Sequence, residues 1–127
     1  MSDRVGFEHV LLRVVPRADR GESMNVGVVL HSQAADFLGA AVDVDRDRLR
    51  VLDASFDLGA VCAALDVIQA VCAGDPAAGR AAAGTPGERF RWLAAPRSTV
   101  VQPGPIHGGV TDDPAAELDR LLDRLVR

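Results

Sequence analysis

The chain has 127 residues and a formal net charge of -4, with 14 basic side chains that are all arginine and no tyrosine. That length fits one domain with one core. The acidic balance offers no long-range pull on a polyanion, and Arg46, Arg48 and Arg50 alternate with Asp45 and Asp47 rather than forming a stripe, so no nucleic-acid partner is expected.

Residues 7–15 alternate, with Val10, Leu12 and Val14 on one side and His9, Leu11 and Arg13 on the other, which predicts a strand buried on one face. A second strand is predicted over residues 25–31 and a third over 37–44, where Leu38, Ala40, Val42 and Val44 are in phase. Three short strands in succession favour an antiparallel meander. Pairing Val10 with Leu30, Leu12 with Val28 and Val14 with Val26 keeps the apolar sets together, and sets His9 opposite His31 and Arg13 opposite Gly27. In that register the absent side chain at Gly27 leaves room for the Arg13 stem or a ligand.

From Asp57 to Ala73, Leu58, Val61, Cys62, Leu65, Ile68 and Cys72 recur at helical spacing, and Gly74 stands where a C-terminal cap belongs. Cys62 and Cys72 are expected to be buried thiols, roughly 15 Å apart along that helix and beyond disulfide reach. Residues 75–87, rich in Ala and Gly, read as a mobile connection within the single domain 1–127. A short helix is predicted over residues 88–94 with Phe90 and Leu93 inward, and a fourth strand over 98–102 ended by Pro103 and Pro105. Asp113 caps a last helix opened by Pro114, whose Leu118, Leu121, Leu122, Leu125 and Val126 trace one stripe. The fold class expected is α+β: a small antiparallel sheet covered on one face by the central and C-terminal helices, the other face carrying His9, Arg13 and His31.

Nothing resembles a signal peptide, and no apolar run could cross a bilayer, so a cytoplasmic protein with no membrane association is expected. There is no phosphate-binding loop and no dinucleotide fingerprint, so no cofactor is expected, and no Cys/His spacing suggests zinc. A metal site from Glu8, His9, His31 and His107 depends on the strand register.

Unexplained polarity gathers in two segments, 20–30 and 95–109. In the first, Arg20 and Glu22 either pair to shape the loop, with Asn25 closing it, or Arg20 is an anion clamp with Glu22 as a base or metal ligand. In the second, Arg97 with the hydroxyls of Ser98 and Thr99 could serve the same anion, Gln102 could read a polar edge, and His107 lies where backbone can approach a ligand. A Ser98/His107 nucleophile pair lacks both the strained elbow and an orienting carboxylate.

These two segments resemble the signature of a bacterial family, domain of unknown function 3037. The resemblance is carried by Arg20-Gly21-Glu22 with Asn25-Val26-Gly27-Val28-Val29-Leu30, then Phe37-Leu38-Gly39-Ala40, Phe90-Arg91-Trp92-Leu93, Ala95-Pro96-Arg97-Ser98-Thr99, Gln102-Pro103 through His107-Gly108-Gly109, and the Asp112-Asp113-Pro114 helix start. It departs from the family's pattern at Gly104 and Gly108, where hydroxyl residues are usual. The resemblance implies no catalytic residues; it implies a HipA-like kinase as a protein partner, by association. The expected function is a binding or regulatory module in which Arg20, Glu22, Asn25, Arg97, Ser98, Gln102 and His107 make one polar patch for an anionic ligand or a partner protein. The competing expectation is a small hydrolase or transferase on a phosphate-bearing or nucleotide substrate, with Glu22 or His107 as general base.

Overall fold

A computed structural model describes residues 3–127, with strands β1 (Val5–Val14), β2 (Met24–Ser32), β3 (Phe37–Val42), β4 (Val101–Pro103) and β5 (His107–Thr111), and helices α1 (Arg46–Leu52), α2 (Leu58–Ala73), α3 (Pro86–Ala94) and α4 (Pro114–Leu125). The strands form one antiparallel sheet in the order β3-β2-β1-β4, with β5 also on β1. The α+β class and the meander of the first three strands are therefore as the sequence predicts. The long β1 carries β4 along Leu12–Val14 and β5 along Val5–His9, and the link through Gly104, Pro105 and Ile106 interrupts that edge.

The helices divide between the faces of the sheet, which departs from the expected single covered face. Val10, Leu12, Val14, Val26 and Val29 pack with Phe90, Leu93 and the Val61, Leu65 and Ile68 stripe of α2 and α3. Phe7, Val28 and Leu30 pack with Leu118, Leu121, Leu122 and Val126 around α4. The register differs from the expected one: by one residue at Val10, which faces Val29, and at Leu12, which faces Gly27, and by two at Val14, which faces Met24. A one-residue shift exchanges the faces of a whole strand. An irregularity between Leu12 and Arg13 places an extra residue, Val26, in β2, so Val26 and Val29 point the same way while Val28 and Leu30 point to α4. The unbroken apolar run Val26–Leu30 suits a strand with both faces covered.

His9 and His31 consequently do not face each other. His9 stands opposite Leu30 and, across the other ladder, opposite His107; Arg13 stands opposite Asn25 and Gln102. Gly27 faces Leu12 and β3: a Cβ there would lie 2.9 Å from the Ala41 carbonyl and 3.1 Å from Leu12 Cδ1. The space at Gly27 is filled by the neighbouring strand, not by Arg13.

Local signals set the helix ends. Asp57 Oδ1 accepts from Ala60 N and starts α2, and Gly74 ends it at φ 71°, a left-handed position that glycine takes without a Cβ penalty. Residues 76–82 fold as two 3-10 turns broken at Gly79, with Ala82 buried. Thr85 and Glu88 form a reciprocal capping box at α3, with Pro86 in its first turn. Asp113 accepts from Ala115 N and Ala116 N at the start of α4. Two elements were absent from the expectations: α1, capped by Asp45, which buries Leu49, and the exposed strand β5. Among the described residues no single helix is long and apolar enough to cross a membrane.

Candidate functional site

The bulge that swaps the faces of β2 also decides which polar groups meet. By placing Asn25 opposite Arg13, it puts both on the α4 side of the sheet, beside the interrupted β4–β5 edge. There they line a hollow of about 380 Å³ with Ser23, Arg48, Gly104 and His107. No carboxylate lines it, while two guanidiniums and an imidazole do.

Each group is held by a distinct element. Asn25 Nδ2 donates to the Leu125 carbonyl at 3.0 Å, and Arg48 Nη1 donates to the Val126 carbonyl at 3.1 Å, so the end of α4 is tied to β2 and α1. These carbonyls are acceptors that a helix end leaves unfilled, and the two side chains satisfy them. Gly104 N donates to the Leu11 carbonyl at 2.8 Å, drawing the β4–β5 link against β1. A Cβ at Gly104 would lie 3.7 Å from Arg13 Nε. The Arg13 stem is thus packed under the link, and its Nε is buried without a hydrogen-bond partner.

An orphaned buried donor on a cation costs desolvation energy that a fold normally avoids. An anion in the hollow would meet the charge of that guanidinium, which the fold leaves without a partner. His107 adds a ring that lies 5.5 Å from His9, its partner across the ladder. Burial, and then His107, lower the pKa of His9, while Glu117 acts the other way.

The sequence-derived residues separate into groups. Asn25 and His107, from the two polar segments, do share this hollow. Glu22 lines an adjoining depression that shares Ser23, Met24 and Arg48 with it. Arg20 Nε donates to Glu22 Oε1 across Gly21, whose φ of 68° lets the turn close, and both side chains are largely exposed. Their pairing is the loop-shaping one, whereas Asn25 bonds α4 rather than its own loop.

Arg97 lies outside the hollow. Its guanidinium sits 4.4 Å over the Trp92 ring, Nη2 donates to the Trp92 carbonyl, and Nε donates to the Ala95 carbonyl at 3.3 Å, closing the C-terminus of α3. Gln102 stands opposite Arg13 in the β1–β4 ladder but donates through Nε2 to the Thr99 carbonyl at 3.0 Å. Ser98 is exposed ahead of β4 and does not line the hollow with His107. His9 and His31 lie on opposite faces, so the Glu8, His9, His31 and His107 set is not assembled. Among the described residues no group of three or more His, Cys, Asp and Glu side chains could hold a metal ion.

Arg13 and Arg48 were missed as site residues. Arg13 reads as one exposed position of an alternating strand, and Arg48 as one charge in an alternating run. The signal for Arg13 was its place facing the start of β2 and the Pro-Gly-Pro link together, which requires the true register.

Residues 9–126 match the family model described as a protein of unknown function, DUF3037. No curated protein and no solved structure matches the chain.

Proposed function

The chain belongs to the DUF3037 family, a membership that carries no activity with it, and from the geometry of the hollow we propose that it is a binding module for a small anionic ligand. The reading rests on one observation: Arg13, whose buried Nε has no partner, lines a hollow together with Arg48 and His107 and with no carboxylate. A guanidinium matches the paired oxygens of a carboxylate or phosphate, and partial burial strengthens the attraction. Asn25 and Ser23 add polar groups that orient a bound anion.

The net acidic charge of the chain is consistent with recognition by a local cluster instead of a general field. Because Asn25 and Arg48 hold the last carbonyls of α4, a ligand seated between them would also tighten that helix, which suits a regulatory module.

The test is titration of citrate and of inorganic phosphate into the protein, followed by calorimetry and by the Asn25 side-chain amide resonance. Binding that weakens about tenfold or more in Arg13→Gln, and less in the exposed Arg20→Ala, supports the reading. Binding of neither anion, or binding indifferent to Arg13→Gln and Arg48→Gln, refutes it.

A further inference from the structure

A second site lies on the other face of the sheet, where α3 begins. His31 projects there from β2, with its ring stacked on Phe90 at 5.4 Å and an interplanar angle of 24°. It is only 9% exposed, yet neither ring nitrogen has a hydrogen-bond partner among the described residues. The ring is largely covered, but its nitrogens stay open to solvent, where a ligand can reach them. The ring borders a hollow of about 380 Å³ together with Gln33, Asp36, Thr85, Gly87 and Arg91.

Three donors converge in that hollow. The first turn of a helix leaves N–H groups unfilled, and in α3 Thr85 Oγ1 accepts only that of Glu88, leaving the Gly87 N–H without a partner. Gly87 has no side chain, and a Cβ built on it would lie 3.6 Å from Arg91 Nη1 and 3.6 Å from His31 Cε1. Gly87 therefore stands between the guanidinium and the imidazole, and both can reach an atom placed above it. Arg91 has no hydrogen-bond or ion-pair partner of its own among the described residues.

A helix start, an arginine fork and an imidazole around a position without Cβ make a cradle for a tetrahedral oxyanion. The opposite wall limits what else the ligand can be. Asp36, held at φ 50° in the β2–β3 turn, and Gln33 border the same hollow. A carboxylate there repels a bare anion, but accepts hydrogen bonds from hydroxyl groups. A second hollow of about 450 Å³, bordered by Phe7, Glu8, Gly108 and Gly109, continues from His31 and Gln33 and gives space beyond the cradle.

We infer that the hollow between the start of α3 and the β2–β3 turn binds a hydroxyl-bearing phosphate monoester, with the phosphate on Gly87, Arg91 and His31 and the hydroxyls toward Asp36 and Gln33. The site is separate from the Arg13 hollow, being on the opposite face, and stands or falls without it.

The experiment follows backbone amide resonances during titration with glycerol 3-phosphate, with glycerol and inorganic phosphate as separate controls. Glycerol 3-phosphate should shift Gly87 and its neighbours and bind more tightly than inorganic phosphate, and glycerol alone should do nothing. Arg91→Gln, at an exposed side chain, should weaken binding about tenfold or more. Gly87→Ala, whose methyl fits the helix at ordinary contact distance but occupies the cradle, should weaken it as well while the melting transition stays cooperative. Arg13→Gln should leave it unchanged. The inference is overturned if the Gly87 amide does not respond, if both Arg91→Gln and Gly87→Ala bind like wild type, or if inorganic phosphate binds as well as the ester.

Discussion

His9 and His107 stand directly opposite each other across the β1–β5 ladder, with ring centroids 5.5 Å apart. His9 is buried and its Nδ1 has no partner, so a proton on it is resisted first by burial and then by the facing ring. Burial likewise lowers the pKa of His31, against the opposing pull of Glu8 and Asp36 and with Arg91 adding to the lowering. Both groups thus bind a proton less well folded than unfolded, where the value is near 6.5.

Stability should therefore be full above that value and fall as the pH drops through it, because the unfolded chain takes up protons that the folded chain refuses. The urea midpoint is expected to be lower near pH 5 than near pH 7.5. His9→Gln should lessen the slope across that interval. A midpoint that rises on acidification would contradict the buried placement of both rings.

Gly27 should not tolerate a methyl group. A Cβ would meet the Ala41 carbonyl at 2.9 Å and the Val42 and Leu12 side chains near 3 Å. The carbonyl belongs to the β3 ladder and cannot step aside without disturbing it. Gly27→Ala is expected to cost about 1–3 kcal/mol, read from urea unfolding.

The two sides of the sheet should lose stability independently. Phe90 lies in the core under α2 and α3, and Leu122 in the core under α4. Leu122→Ala should cost about 2–5 kcal/mol and Phe90→Ala about 3–5 kcal/mol. In a milder pair, Leu122→Val with Phe90→Leu, the effects should add to within about 0.5 kcal/mol. Strong coupling would mean one shared core.

The cysteines should react unequally. Cys62, expected to be buried, is exposed, whereas Cys72 is buried and its thiol is pushed up to about 11 by burial. Since the thiolate is the nucleophile, a thiol reagent should label Cys62 promptly in the native protein and reach Cys72 only on unfolding. Equal rates would indicate that the end of α2 opens readily.

The helices were legible because their signals are local. Asp57 with Gly74, and Asp113 with Pro114, name two helices by chemistry within a few residues, and Phe90 with Leu93 marks the buried side of a third. The strand register was not legible, since Val26–Leu30 is apolar throughout and two alternations fit it equally well until the extra residue at Val26 chooses between them. β5 escaped notice because His107-Gly108-Gly109 offers no alternation, and α1 because Arg46–Leu52 reads as mixed charge. The polar hollow inherits the same division: Asn25 and His107 announce themselves by sequence context, but Arg13 joins them only through the register.

β1 takes its second neighbour from β4 and β5, much later in the sequence, and Val28 and Leu30 are covered by α4. During synthesis the β1–β2 hairpin must therefore wait, with one greasy side bare, until α4 has emerged. A nascent chain stalled before Pro114 should therefore expose that side and be a natural client for a chaperone.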